Sequence, residues 1–110
     1  MQRISKDLVG ASVSTVILSL LNQEDSYGYE MIQKVKEFTN GEVEWHEVGI
    51  YPVLKKLENE GMIRSYWKML EGERPRKYYT IQEDGIKQLE ENKYEWSLVE
   101  MLYKKLWSLS

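Results

Sequence analysis

The sequence predicts a mainly α-helical chain with one small β-hairpin: three helices, the hairpin, then a long terminal helix. Apolar residues recur at helical spacing in four separate stretches. Residues 63–81 instead alternate about a turn-rich centre. After Gly85 there is neither glycine nor proline to the last residue, so nothing interrupts a terminal helix.

The first helix is expected from about Leu8 to Asn22. Its apolar residues (Leu8, Val9, Val13, Val16, Ile17, Leu18, Leu20 and Leu21 among them) go almost all the way round, so it should be covered on more than one side and hints at a second chain. The opening residues loosely imitate a signal peptide, but Asp7 and four serines interrupt the apolar run, and it is too short and polar to span a bilayer. A soluble, cytoplasmic protein is the expectation. Ser26 is a candidate N-cap for a second helix from Tyr27 to about Thr39. Met31, Ile32, Val35 and Phe38 should form its buried face, with Asn40 and Gly41 as the stop.

Residues 42–48 form a connector, with room for a short extended pairing. The stretch "GIYPVLKKLENEG" then carries Ile50, Val53, Leu54 and Leu57 at helical spacing, with Pro52 inside the pattern. Proline is tolerated in a first turn, whose N–H groups lack helical partners anyway. A third helix beginning near Glu47 to Gly49 puts Pro52 at or just past that turn, and Gly61 closes the helix as a left-handed cap. In the hairpin, Ile63, Ser65 and Trp67 alternate with Arg64, Tyr66 and Lys68. The return strand sets Lys77, Tyr79 and Ile81 against Arg76, Tyr78 and Thr80, with Glu71, Gly72, Glu73 and Pro75 at the tip. The terminal helix, from about Gln82 to Leu106, places Leu89, Asn92, Trp96, Val99, Tyr103 and Leu106 in a heptad seam. Such a seam at the end of a small domain predicts a homodimer.

With 110 residues the chain makes about one domain. It has no cysteine, hence no disulfide framework or thiol chemistry, and its single histidine, His46, is read as a surface or capping residue. No motif supports a metal site, a catalytic triad or a phosphate loop, so no enzyme and no cofactor is expected. The formal net charge is −3, which argues mildly against nucleic acid. The cations are segregated, however. Lys55 and Lys56 lie on the polar face of the third helix and Arg74, Arg76 and Lys77 at the hairpin tip, while acidic residues concentrate in 42–47 and 83–100. Lysines and arginines that neutralise phosphates release counterions, the main source of non-specific DNA affinity.

Three helices followed by a two-stranded wing is the order of a winged helix-turn-helix, whose third helix enters the major groove. Residues 1–81 would form this DNA-binding domain and 82–110 a dimerisation helix. The motif "IYPVLKKLENEGMI" resembles the signature of the PadR-like transcriptional regulators, "YGYEMI" resembles their second helix, and "RPRKYYTI" their wing. All three fall in order along the chain, whose size resembles the short subfamily. The resemblance implies a homodimeric repressor on a pseudo-palindromic double-stranded operator. It implies DNA contacts from Gly49, Tyr51, Lys55 and Lys56, from Arg74, Arg76 and Lys77 of the wing, and from Tyr27 and Tyr29. The three tyrosines have packing as their alternative role. Glu73 stands where glycine is common in the family, and Gln82 where threonine often caps the last helix.

Some short members bind flat aromatic drugs in a pore at the dimer interface, between paired tryptophans. By that resemblance Trp96 would wall the pore, lined by Leu8, Ser12, Thr15, Ser19, Asn92, Lys93 and Glu100. Trp96 as a plain filler of the dimer core is the competing reading, and Asn92 could set the register of the seam. The other tryptophans are expected to pack: Trp45 and Trp67 between hairpin and helices, Trp107 over a helix end. A winged-helix module that binds another protein and not DNA is the alternative function, favoured by the acidic charge and Glu73.

Overall fold

The computed structural model describes residues 6–109, with side chains from residue 12 onward. In chain order the elements are α1 (Lys6–Gln23), β1 (Ser26–Tyr27), α2 (Gly28–Phe38), α3 (Glu47–Asn59), β2 (Ile63–Lys68), β3 (Arg76–Ile81) and α4 (Glu83–Ser108). The three strands form one antiparallel sheet in the order β1-β3-β2. This is a winged helix-turn-helix with a long terminal helix. Among the described residues no helix is long and apolar enough to cross a membrane.

α1 is the centre of the body and lies against α3, β3 and α4. From Ser12 to Leu21 none of its residues is exposed, and Ile17, Leu18, Leu20 and Leu21 join the core. Its all-round apolar pattern is thus largely covered within the same chain. Met31 and Val35 of α2, Ile50, Leu54 and Leu57 of α3, Ile63, Tyr79, Leu89 and Trp45 complete the core.

The helix ends follow the sequence signals closely. Asn40 (φ 50°) and Gly41 (φ 82°) take left-handed backbone, and the Gly41 N–H donates to the Lys36 carbonyl at 2.8 Å. At the end of α3, Gly61 has φ 76°, its N–H donates to the Glu58 carbonyl, and the Met62 N–H donates to that of Leu57, both at 3.0 Å. These two bonds satisfy carbonyls that the last turn would otherwise leave open.

Several expectations are corrected. Ser26 does not cap α2: it is fully buried in β1, opposite Tyr79, and its hydroxyl donates to Glu30 Oε1 at 2.6 Å. The backbone of α2 begins at Gly28 after an extended Tyr27 that gives no side-chain cap. The third strand is therefore β1, and the connector before α3 forms none. Phe38 is 71% exposed because the last turn of α2 runs past the residues that cover Met31 and Val35. Trp45 is buried as expected, but Trp67 is 70% exposed, since β2 extends beyond the helices it packs on. Trp107 stacks on Tyr103 of its own helix, with ring centroids 4.8 Å apart, and is itself exposed.

Pro52 is the sixth residue of α3, inside its second turn, so the Val48 carbonyl loses its helical donor. Leu89, expected in the dimer seam, is fully buried in the chain's own core. The first turns of α4 lie on the body, which closes over that side chain. Beyond it every residue of α4 is exposed except half-buried Asn92.

Two glycines should respond to alanine in opposite ways. A Cβ on Gly85 would meet the Met62 carbonyl oxygen, which already accepts the Gln82 N–H, and would lie 2.8 Å from Ile81 Cγ1. Gly85→Ala is expected to cost about 1–3 kcal/mol in urea denaturation, because backbone must move to admit the methyl. Gly49 has nothing within 4 Å of an added Cβ. Gly49→Ala should stabilise α3 by up to about 1 kcal/mol in the same experiment.

Candidate nucleic-acid interface

α3 presents its outer side to solvent with Val48, Gly49, Pro52, Lys55 and Lys56 all exposed. Helical spacing puts Val48, Pro52 and Lys55 on one line and Gly49, Pro52 and Lys56 on the next, so the two lysines diverge by about 100°. Tyr51 points to the opposite edge. A Cβ on Gly28 would lie 2.7 Å from its hydroxyl oxygen and 2.9 Å from Cζ. The ring thus lies along the first residue of α2, and only a glycine there allows it. Burial first, and then the Glu47 carboxylate, hold the Tyr51 hydroxyl above the ordinary tyrosine range. The phenol stays neutral and able to donate, where a phenolate would repel a phosphate.

The wing turns at Leu70 to Glu73, where the Glu73 N–H donates to the Leu70 carbonyl at 3.0 Å and Gly72 supplies the left-handed position (φ 79°). Arg74 and Glu73 are exposed beside it. Register sets Trp67 opposite Lys77 and Lys68 opposite Arg76. Trp67 and Lys77 share the face of the hairpin on which Ser65 donates to Glu58 Oε2 of α3 at 2.5 Å. Lys77 Nζ lies 5.7 Å from the ring centre of buried Tyr79.

The other face of the sheet carries a ladder of rings and cations. The Arg76 guanidinium lies 4.5 Å over the Tyr27 ring and also donates to the Tyr27 hydroxyl. Tyr27 meets Tyr78 edge-on at 5.2 Å, Tyr66 stacks on Tyr78 at 5.9 Å, and Lys68 Nζ sits 4.9 Å over Tyr78. The Tyr66 hydroxyl donates to Asp25 Oδ2 at 2.6 Å, which is the main reason its proton is held above the ordinary range. Arg76 is therefore pinned at the tip-side end of the strand ladder, while Arg74 lies in the tip loop itself. Tyr27, expected as a DNA contact, also orients Arg76, and Tyr29 stands exposed in the first turn of α2.

Sequence reasoning missed Asp25, Tyr66, Lys68 and Tyr78, although the hairpin alternation put Tyr66 with Lys68, and Tyr78 with Arg76, on one face. What it lacked was β1, only two residues long, which brings Tyr27 and Asp25 alongside. Gly28 and Val48 were also missed.

Of the residues assigned to an interface pore, Thr15 and Asn92 meet across the junction of α1 and α4. Asn92 Nδ2 donates to Thr15 Oγ1 at 3.1 Å, and Asn92 accepts from Gln88 at 2.8 Å. Ser19 donates to the Thr15 carbonyl at 2.7 Å. Lys93 pairs with Glu90 (3.3 Å) and Glu100 with Lys104 (3.1 Å) along the same helix. Ser12 is half-buried, Trp96 is 38% exposed, and the Leu8 side chain lies outside the described residues.

A sequence profile described as the transcriptional regulator PadR-like family matches residues 17–91. The chain belongs to the PadR-like family. The match takes in α2, α3, the wing and the start of α4, and stops before Trp96. The chain is similar to a transcriptional regulator from Clostridium thermocellum, at 36% identity and a TM-score of 0.85 over 93% of this chain and 96% of that one. It is likewise similar to a PadR-like transcriptional regulator from Bacillus cereus, at 32% identity and a TM-score of 0.80 over 92% and 96%. Transcriptional regulator YqjI of Escherichia coli is 33% identical over 85 residues, which are 77% of this chain but only 39% of YqjI. PadR-like proteins are DNA-binding transcriptional regulators, and the fold here is theirs.

The Gly28–Tyr51 contact gives a direct test of the interface geometry. Gly28→Ala must swing the Tyr51 ring toward water, which lowers its raised pKa toward the ordinary value. With tyrosine labelled at Cζ, the carbon titration should show one phenol shifting downward, identified by its loss in Tyr51→Phe.

Proposed function

We propose that the chain is a homodimeric transcriptional repressor that binds a pseudo-palindromic operator in the cytoplasm and is released by a flat aromatic effector at the dimer interface. The observation that carries the DNA reading is an exposed helix α3 joined to a basic wing in one winged helix-turn-helix, within a family of regulators. Lys55, Lys56, Arg74, Arg76 and Lys77 supply phosphate contacts, and Tyr51 and Tyr29 hydrogen-bond donors. Residues 1–81 act as the DNA-binding unit and 82–110 as the dimerisation helix, with the first turns of α4 shared between them.

Dimerisation is supported by the outer half of α4. Trp96, Val99, Tyr103 and Leu106 are each between 38% and 50% exposed, and Tyr94, Leu98, Met101 and Leu102 widen the apolar surface. An isolated helix cannot bury such a surface on itself, and a second copy offers the same heptad spacing. Two such units on one duplex would meet half-sites about one helical turn (~34 Å) apart. An effector between the two Trp96 rings would change the angle between the α4 helices, and so favour dimers whose half-site spacing no longer fits.

Binding to DNA from upstream of the chain's own gene should fall steeply with salt, and Arg76→Ala should flatten the log–log slope by about one unit. Affinity no better than for random DNA, with no slope difference, would favour the protein-interaction reading. Val99→Glu with Tyr103→Glu should halve the mass seen by light scattering and leave the helical signal of the body. For the effector, flat cationic dyes should quench tryptophan emission in the parent protein and fail to do so in Trp96→Leu.

A further inference from the structure

Among the exposed groups outside the charged contacts, the start of α3 is unusual in what it does not carry. Val48 is 89% exposed in the first turn, and Pro52 follows on the same line. Gly49 between them has open space where its side chain would be, so neither fold nor packing requires a glycine, and alanine would serve the helix better. Glu47, when ionised, can only accept hydrogen bonds. Along this outer line the side-chain donors of α3 begin at Lys55, a turn further on; the Tyr51 hydroxyl lies off the line, beside Gly28. Beside Glu47, the surface that Val48, Gly49 and Pro52 present at the end of a recognition helix that normally meets base edges is therefore apolar, smooth and closely approachable.

The major groove offers one apolar group, the C5 methyl of thymine. A cytosine or guanine edge placed against the Val48 methyls would lose water without gaining a partner. We propose that Val48 is a specificity-determining residue that reads a thymine methyl in each half-site, with Pro52 flanking it and Gly49 allowing the helix to seat close to the base. The inference rests on the DNA-binding reading and deepens it, since it names the base the helix selects and the group it selects by.

The test uses the full chain and a duplex that it enriches from a random double-stranded pool. Each thymine of that duplex is replaced in turn by deoxyuridine, which removes one methyl and leaves charge, pairing and phosphates intact. At one position in each half-site the affinity should fall about fourfold, the value of one buried methyl, and more than tenfold when both are replaced. In Val48→Ala, a change at an exposed site, the same replacement should make less than a twofold difference. If every uracil duplex binds like the parent, or if Val48→Ala keeps the full loss, the proposal is overturned while DNA binding stands. If no sequence is enriched, the proposal falls together with the DNA-binding reading.

Discussion

The shortest strand among the described residues holds α3 and the wing together. Ser26 and Tyr27 pair with Tyr79 and Tyr78 of β3, the middle strand, which also carries β2 on its other side. Through that pairing the chain entering α2 is hydrogen-bonded to the middle of β3, and Gly28 follows at once. Gly28 in turn seats Tyr51, so α3 is located against the residue next to that strand. Sequence distance is large here, from residue 26 to residue 79, yet the linkage runs through a buried serine, a tyrosine and a missing methyl. An error at this joint would displace helix and wing relative to each other, and surface charge could not correct it.

The chain's net negative charge hides a local arrangement. Around the wing, aromatic faces hold the cations: Tyr27 holds Arg76, Tyr78 holds Lys68, and Tyr79 lies near Lys77. A ring attracts a cation without neutralising it, so these groups are ordered and keep their full charge for a phosphate. A carboxylate would order them too, but would cancel the field. Asp25, at the edge of the ladder, accepts from the Tyr66 hydroxyl and not from one of these cations.

Much of this was legible in residue order. Gly61 and the Asn40–Gly41 pair announced helix ends because left-handed backbone is nearly confined to those residue types, and the hairpin showed its period of two. Pro52 marked the early part of α3 and sits just past its first turn. The errors share a cause. Phe38, Trp67 and Leu89 were assigned by type and spacing, and spacing gives the side of an element without saying how far the body extends along it. β1 is too short to have a period at all, so Ser26 looked like a cap. The link between Gly28 and Tyr51 is a contact between two helices, and single-chain patterns do not encode which glycine faces which ring.

Leu89 is the last side chain that α4 shares fully with its own body. The helix continues for several more turns on which no apolar residue is buried. In the dimer proposed above, this divides the free energy of folding unevenly: the body would close alone, whereas the distal helix would gain its stability from association. Helix formation there would depend on how much protein is present. The concentration of pairs competent for a two-fold operator would then rise with the square of total protein when the protein is scarce, so a small change in synthesis would be felt as a sharper change in occupancy.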